Sequence, residues 1–262
     1  MANDQSVSFI FSDGERNMQM AGFTNYIRMF QDDVFIQSIK NTFFYFILQV
    51  PIMLVVALVL ACILNKKDLR FKGFFRTMIF VPCTTSLVAY SIIFRSLFAN
   101  NGLVNYVLVN IGILDKPYNF LTQPFAAKMV ILLGLLWRWT GYNMVFFLSG
   151  LQNIEYSVYE AAKIDGASAI QTFFKITVPL LKPTILLTAI MSTNGTLQLF
   201  DESVNLTDGG PANASISMSH YIYNLCFKYV PNFGYAAAMS FFILLLVAVL
   251  AFIQMRVGDK RD

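Results

Sequence analysis

Two groups of residues in this chain have the types and spacing to do chemistry. The first lies within apolar runs: Arg138, Thr140, Tyr142 and Asn143 beside Trp137 and Trp139, and then Ser192, Thr193, Asn194, Thr196 and Gln198. Amides and hydroxyls next to aromatic faces suit a ligand with both apolar faces and hydroxyl groups, such as a sugar ring. Polar groups are costly inside a membrane, so they count as functional candidates there. The competing reading is hydrogen bonding between helices, typically worth about 0.6 kcal/mol each. Tyr142, Asn143, Asn194 and Gln198 are the expected solute contacts, and Arg138 either faces an aqueous path or pairs with an acidic group. The second group is Glu160 and Asp165, carboxylates on a short alanine-rich stretch that could meet basic groups of another protein. Acid–base and metal chemistry have little to build on. The single histidine, His220, is taken to leave no histidine triad or histidine metal cluster, and Cys62, Cys83 and Cys226 are scattered. No Gly-x-x-x-x-Gly-Lys phosphate loop occurs, so the chain is not expected to hydrolyse ATP itself.

The elements that must position these groups follow from composition. Hydrophobic residues make up 56% of the 262 residues and charged ones 13%, with a mean hydropathy of +0.58. A soluble domain carries roughly a quarter charged residues. A formal charge of +4, spread between apolar blocks, argues against a nucleic-acid partner and for membrane lipid as the surroundings. Five runs are long enough to cross a bilayer as helices: Phe43 to Asn65, Thr77 to Phe94, Met129 to Ile154, Pro183 to Phe200 and Val230 to Met255. The expected fold is all-α, a polytopic membrane helical bundle. Pro51 predicts a kink in the first span. Asp32-Asp33 predicts an N-capped, partly amphipathic surface helix leading into it.

Basic residues set the orientation. Lys66, Lys67, Arg70, Lys72 and Arg76 follow span one; Lys163, Lys175 and Lys182 lie between spans three and four; Arg256, Lys260 and Arg261 close the chain. All fall on one side if the five runs cross, which predicts a cytoplasmic C-terminus. Residues 1–42, with five acidic against three basic side chains, form an extracytoplasmic segment. Residues 43–257 form the transmembrane domain, 155–182 its cytoplasmic loop, and 258–262 a tail.

That loop reads Glu160-Ala161-Ala162-Lys163-Ile164-Asp165-Gly166-Ala167, continuing through Phe173-Phe174-Lys175-Ile176-Thr177-Val178-Pro179 to Pro183. Residues 155–164 favour a helix, Asp165-Gly166 a turn with Gly166 left-handed, and 167–177 a second short helix that Pro179 stops. A solvated helical hairpin would explain this much. The full pattern, however, resembles the EAA loop of permease subunits in binding-protein-dependent ABC importers, especially the maltose and glycerol-phosphate carbohydrate type. Gly73-Phe74-Phe75-Arg76, Phe80-Val81-Pro82 and Gly209-Gly210-Pro211 extend the likeness, the last toward the first permease of the maltose type.

The resemblance implies a type I ABC importer permease fold in a bacterial inner membrane. It also implies that Glu160, Ala161, Ala162, Asp165, Gly166 and Ala167 dock on an ATPase subunit. The implied partners are a second permease subunit in a heterodimer, a dimer of ATP-binding subunits holding ATP and magnesium, and an extracytoplasmic solute-binding protein. No cofactor is expected in this chain. Family members carry six or more spans, so the peripheral first one is expected to be missing here. The alternative is direct translocation of the acidic N-terminus. An ion-coupled secondary transporter would need carboxylates within the spans, a phosphate importer a cluster of arginines, and a membrane enzyme a nucleophile motif; none of these patterns is present.

Overall fold

A computed structural model describes residues 22–66 and 68–258. The rest of the 1–42 segment and the tail beyond Gly258 lie outside the described residues. Every regular element among the described residues is a helix, in order α1 (Thr24–Met29), α2 (Asp33–Asn65), α3 (Lys72–Thr84), α4 (Leu87–Leu97), α5 (Leu103–Asn110), α6 (Pro124–Gln152), α7 (Tyr156–Ile164), α8 (Ala169–Thr172), α9 (Val178–Leu180), α10 (Lys182–Leu197), α11 (Met218–Tyr223) and α12 (Phe233–Gly258). Helices α2, α6 and α12 are each long and apolar enough to cross a membrane; α3 with α4, and 169–180 with α10, reach that only as pairs.

The expected surface helix is not separate. Asp32 does cap it, its Oδ1 accepting from the Val34 and Phe35 amides at 2.9 and 3.2 Å, but the same helix runs unbroken through Pro51 to Asn65. At 1.5 Å per residue these 33 residues span about 50 Å, so α2 outruns a hydrocarbon core of about 30 Å.

The second expected span is two helices. Helix α3 continues through Pro82 to Thr84, and the break falls at Thr85 (φ −72°, ψ 147°) and Ser86 (φ −57°, ψ 135°), which are not helical. Carbonyls freed at the break are taken up locally: Thr84 Oγ1 donates to Val81 O and Thr85 Oγ1 to Pro82 O. The fourth run forms a single helix, α10 (Lys182–Leu197), and the difference lies before it. Pro179 does not stop the hairpin's second arm; a π-turn over Phe173–Thr177 carries it into α9, and the chain bends by 70° only at Leu181.

The chain divides into two compact units. One comprises the chain up to Ile47, Ser86–Gly134 and Asn194–Val249. It packs around Met29, Phe35, Met218, Tyr235 and Met239. The other comprises Leu48–Thr85, Leu135–Thr193 and the chain from Leu250. Ala57, Ala61, Met144, Phe147 and Leu181 form its core. Within this second unit α3 and α6 touch backbone to backbone: a Cβ on Gly141 would overlap the Ile79 carbonyl.

Candidate functional site

The loop at 155–182 folds as a helical hairpin whose shape follows from a few residues. Helix α7 ends at Asp165, and Gly166 takes φ +76°, the left-handed position favoured by glycine. Its N–H donates to Lys163 O at 3.2 Å and the Ala167 N–H to Ala162 O at 2.9 Å, the paired bonds of a Schellman cap. Ser168 then caps α8: its hydroxyl accepts from the Gln171 amide while the Gln171 side chain accepts from the Ser168 amide. Glu160, Ala161, Asp165 and Gly166 are exposed and Ala167 half-buried, together with exposed Ile164, Ile170 and Phe174. Ala162 differs from the expectation. It is 6% exposed and faces inward, where its small side chain lets α7 lie close to the body of the unit. Beneath the hairpin is a cavity of about 740 Å³ lined by Asn65, Lys66, Gln152, Tyr156, Tyr159 and Lys163, among others.

The polar residues of the third run are drawn together in the same unit. Asn143 is 4% exposed. Its Nδ2 donates to Trp139 O at 3.1 Å and contacts Met53 Sδ at 3.5 Å, while its Oδ1 accepts from Ser192 at 3.3 Å. Asn143 therefore ties α6 to α10. Tyr142 is half-buried, edge-on to Trp139 and Phe146 at 5.8 and 5.1 Å. Arg138 is buried: Nη1 donates to Thr85 O at 3.0 Å, at the break after α3, and the guanidinium lies 5.4 Å from the Trp139 ring. A carbonyl left open where a helix breaks needs such a donor. Asn194 and Gln198 belong to the other unit, where both are exposed and Gln198 Nε2 donates to Asn194 Oδ1 at 2.6 Å.

The comparisons with known proteins fit this arrangement. The family model for the binding-protein-dependent transport system inner membrane component matches residues 33–261. A lactose transport system permease protein, LacF of Rhizobium radiobacter, is 52% identical over 246 residues, covering 93% of this chain and 83% of that one. The chain belongs to this permease family. A trehalose/maltose transport system permease protein, MalF of Thermococcus litoralis, is 31% identical over 241 residues, covering 92% and 80%. A bacterial alginate ABC transporter solved in complex with an alginate pentasaccharide-bound periplasmic protein matches with TM-score 0.81 and 26% identity, covering 91% of this chain and 83% of that one.

Some features of this permease escaped the sequence reading. Gln254 donates to Thr193 Oγ1 at 2.7 Å within the second unit, and Gln49 is buried; amides inside charge-free runs were the available signal. In the first unit Asp32 Oδ2 accepts from the hydroxyls of Tyr221 and Tyr235 at 2.6 and 2.8 Å, and Arg28 stacks on the Tyr235 ring at 4.5 Å. The exclusion of a histidine triad was too strong as geometry: Ser203 Oγ lies 2.9 Å from His220 Nδ1, and Asp208 Oδ1 lies 3.6 Å from His220 Nε2. This is not a nucleophile, because Ser203 is fully buried and its hydroxyl already donates to Ser215 O and accepts from the Ser217 amide. Burial pushes His220 down to about 4, against the pull of Asp208 and with a further push from Lys228.

Proposed function

We propose that this permease imports a sugar or oligosaccharide by alternating access, as one of two permease subunits seated on a pair of ATP-binding subunits and supplied by an extracytoplasmic solute-binding protein. The observation that carries the reading is the hairpin. A rigid, doubly capped turn holds Glu160 and Asp165 exposed beside Ile164 and Ile170, a small surface with the charge and apolar content of a protein dock. On this reading the hairpin side is cytoplasmic, residues 1–42 and 201–229 face outward, and ATP and magnesium are held by the partner subunit.

The sugar class rests on the roles of the lactose, trehalose/maltose and alginate relatives and on the aromatic and amide content of α6. Tyr142 offers a ring face. Asn194 and Gln198 offer exposed amides that can exchange their mutual bond for solute hydroxyls. Asn143 reaches solute only by giving up its bond to Ser192. Ion coupling has less support, since beyond Asp33 in its first turn neither α2 nor α3, α4, α6, α10 or α12 contains a carboxylate.

The test is ATP hydrolysis by the purified complex with and without its solute-binding protein, for wild type, Glu160→Lys and Gly166→Pro. Loss of stimulated hydrolysis in either variant, with an ATPase subunit co-purifying from wild type, is the expected result. Normal transport by both variants with no ATPase subunit bound would overturn the reading.

A further inference from the structure

We propose that the turn between α2 and α3 binds the headgroup of an anionic phospholipid. Lys66 and Arg70 are exposed there, and Lys72 and Arg76, one helical turn apart on α3, are half-buried; Asp68 is the one acidic residue described in the segment. None of the four cations has an ion-pair partner among the described residues. Arg76 Nε is buried without a hydrogen-bond partner. Beside these cations lies an aromatic stripe. Phe71, Phe74, Phe75, Met78 and Val81 recur at helical spacing and are 77%, 61%, 42%, 58% and 44% exposed. Phe71 reaches this position by adopting φ +60°, ψ 30°, a conformation that bulky L-residues seldom take. A strained backbone that points a ring outward gains nothing in water; against acyl chains the ring is buried.

The two features together select lipid over protein. A phosphodiester accepts charge-assisted hydrogen bonds from guanidinium and ammonium groups. The stripe then continues up α3 as far as Val81, along a helix that forms part of a membrane-crossing pair. An acidic groove on a protein would meet the cations and leave that continuation uncovered. Basic side chains stacked over apolar stems at the end of a span are the usual interface anchor.

The experiment is native mass spectrometry of the purified complete transporter, titrated with phosphatidylglycerol, with phosphatidylcholine, and with inorganic phosphate as competitor. Each surface cation contributes about fivefold to anionic-lipid affinity. Arg70→Gln/Lys72→Gln should therefore lose one phosphatidylglycerol adduct, its affinity falling about 25-fold, with phosphatidylcholine binding unchanged. Phe71→Gly relieves the left-handed strain and keeps the fold, so it supplies an independent arm: binding of both lipids at this position should weaken. The proposal is overturned if both variants retain phosphatidylglycerol within twofold of wild type. It is equally overturned if inorganic phosphate displaces the lipid at comparable concentration, or if the double variant sheds an ATP-binding subunit while its lipid adducts stay the same.

Discussion

Replacing Asp32 tests whether one carboxylate holds four elements of the first unit together. Its Oδ1 caps α2 through the Val34 and Phe35 amides, and its Oδ2 takes the hydroxyls of Tyr221 on α11 and Tyr235 on α12. Arg28, on α1, lies over the Tyr235 ring. Loss of an N-cap costs about 1 kcal/mol. Each tyrosine bond to a charged acceptor is worth about 1.5 kcal/mol or more, and Asp32→Ala leaves both hydroxyls without an acceptor, on rings that are 7% and 0% exposed. The expected cost is about 4 kcal/mol. On a scale of about 2–4 °C per kcal/mol, the melting temperature of the purified permease should fall by about 8–16 °C. Asp32→Asn keeps the cap through its amide oxygen but offers the tyrosines a donor where they need an acceptor, so it should cost about half as much. The decisive comparison is non-additivity. Once Asp32 is gone, Tyr235→Phe removes a hydroxyl that is already orphaned, so the double variant should melt no lower than Asp32→Ala alone. An Asp32→Ala protein melting within 2 °C of wild type, or fully additive losses, would refute the reasoning.

Other outcomes follow from single contacts. Gly141→Ala forces a Cβ onto the Ile79 carbonyl, so it should cost about 3 kcal/mol or lower the yield of folded protein, whereas Gly195→Ala, with open space around it, should leave the melting temperature unchanged or raise it. Arg138→Met removes the donor to Thr85 O at the break after α3; thermal stability should drop by about 2 kcal/mol, and Arg138→Lys should recover part of it. His220 is held down to about 4 by burial, so the unfolded chain takes up a proton that the folded one refuses between pH about 6.5 and about 4. Stability should therefore fall on acidification, with a limiting slope of about 1.4 kcal/mol per pH unit, and His220→Gln should flatten the melting-temperature profile between pH 7 and 5. Tyr221 has the opposite sign: burial and the Asp32 contact raise its pKa, so its contribution is present below about pH 10 and lost as pH rises further, a loss that Tyr221→Phe should reduce.

How far the sequence could be read depended on the range of the interaction. The hairpin turn was legible because Asp165-Gly166 states its own requirement: a left-handed residue closing a helix needs only its neighbours. The cap at Asp32 was legible for the same reason. Its tyrosine partners were not, since they lie 189 and 203 residues away and no local pattern marks them. The break at Thr85–Ser86 was missed because Thr77 to Phe94 is uniformly charge-free, and hydropathy measures solvent preference without recording where backbone hydrogen bonds end. Pro179 was over-read. A proline ends a helix only where the preceding turn cannot widen, and the π-turn at Phe173–Thr177 is such a widening. The family itself was legible because the loop pattern is dense and contiguous. The surroundings of the expected solute contacts were less so, since Asn143 and Gln198 look alike in sequence yet one is clamped between helices and the other exposed.

The distribution of polarity across the bundle also bears on what surrounds it. Asn41, Thr42, Gln49, Thr140, Asn143, Thr193 and Thr196 are buried, while Phe241, Leu244, Leu245, Val249, Phe252 and Ile253 along α12 are 48–60% exposed. In water this arrangement would cost twice, through desolvated amides and through a bare apolar face. In an apolar medium both costs reverse. The outward side chains meet surroundings like themselves, and inward polar groups do better against one another than against lipid. The hydroxyls donate within their own helices, Thr42 to Ser38 O, Thr188 to Thr184 O and Thr193 to Ala189 O, which leaves those of Thr42 and Thr193 free to accept from the Met218 amide and the Gln254 side chain. Asn143 and Gln254 do reach across, each to a hydroxyl on α10, and those two bonds fix where α6 and α12 meet it within the second unit. At about 0.6 kcal/mol each, such interhelical bonds set the register of the helices without locking it, so one can be exchanged for another at small net cost.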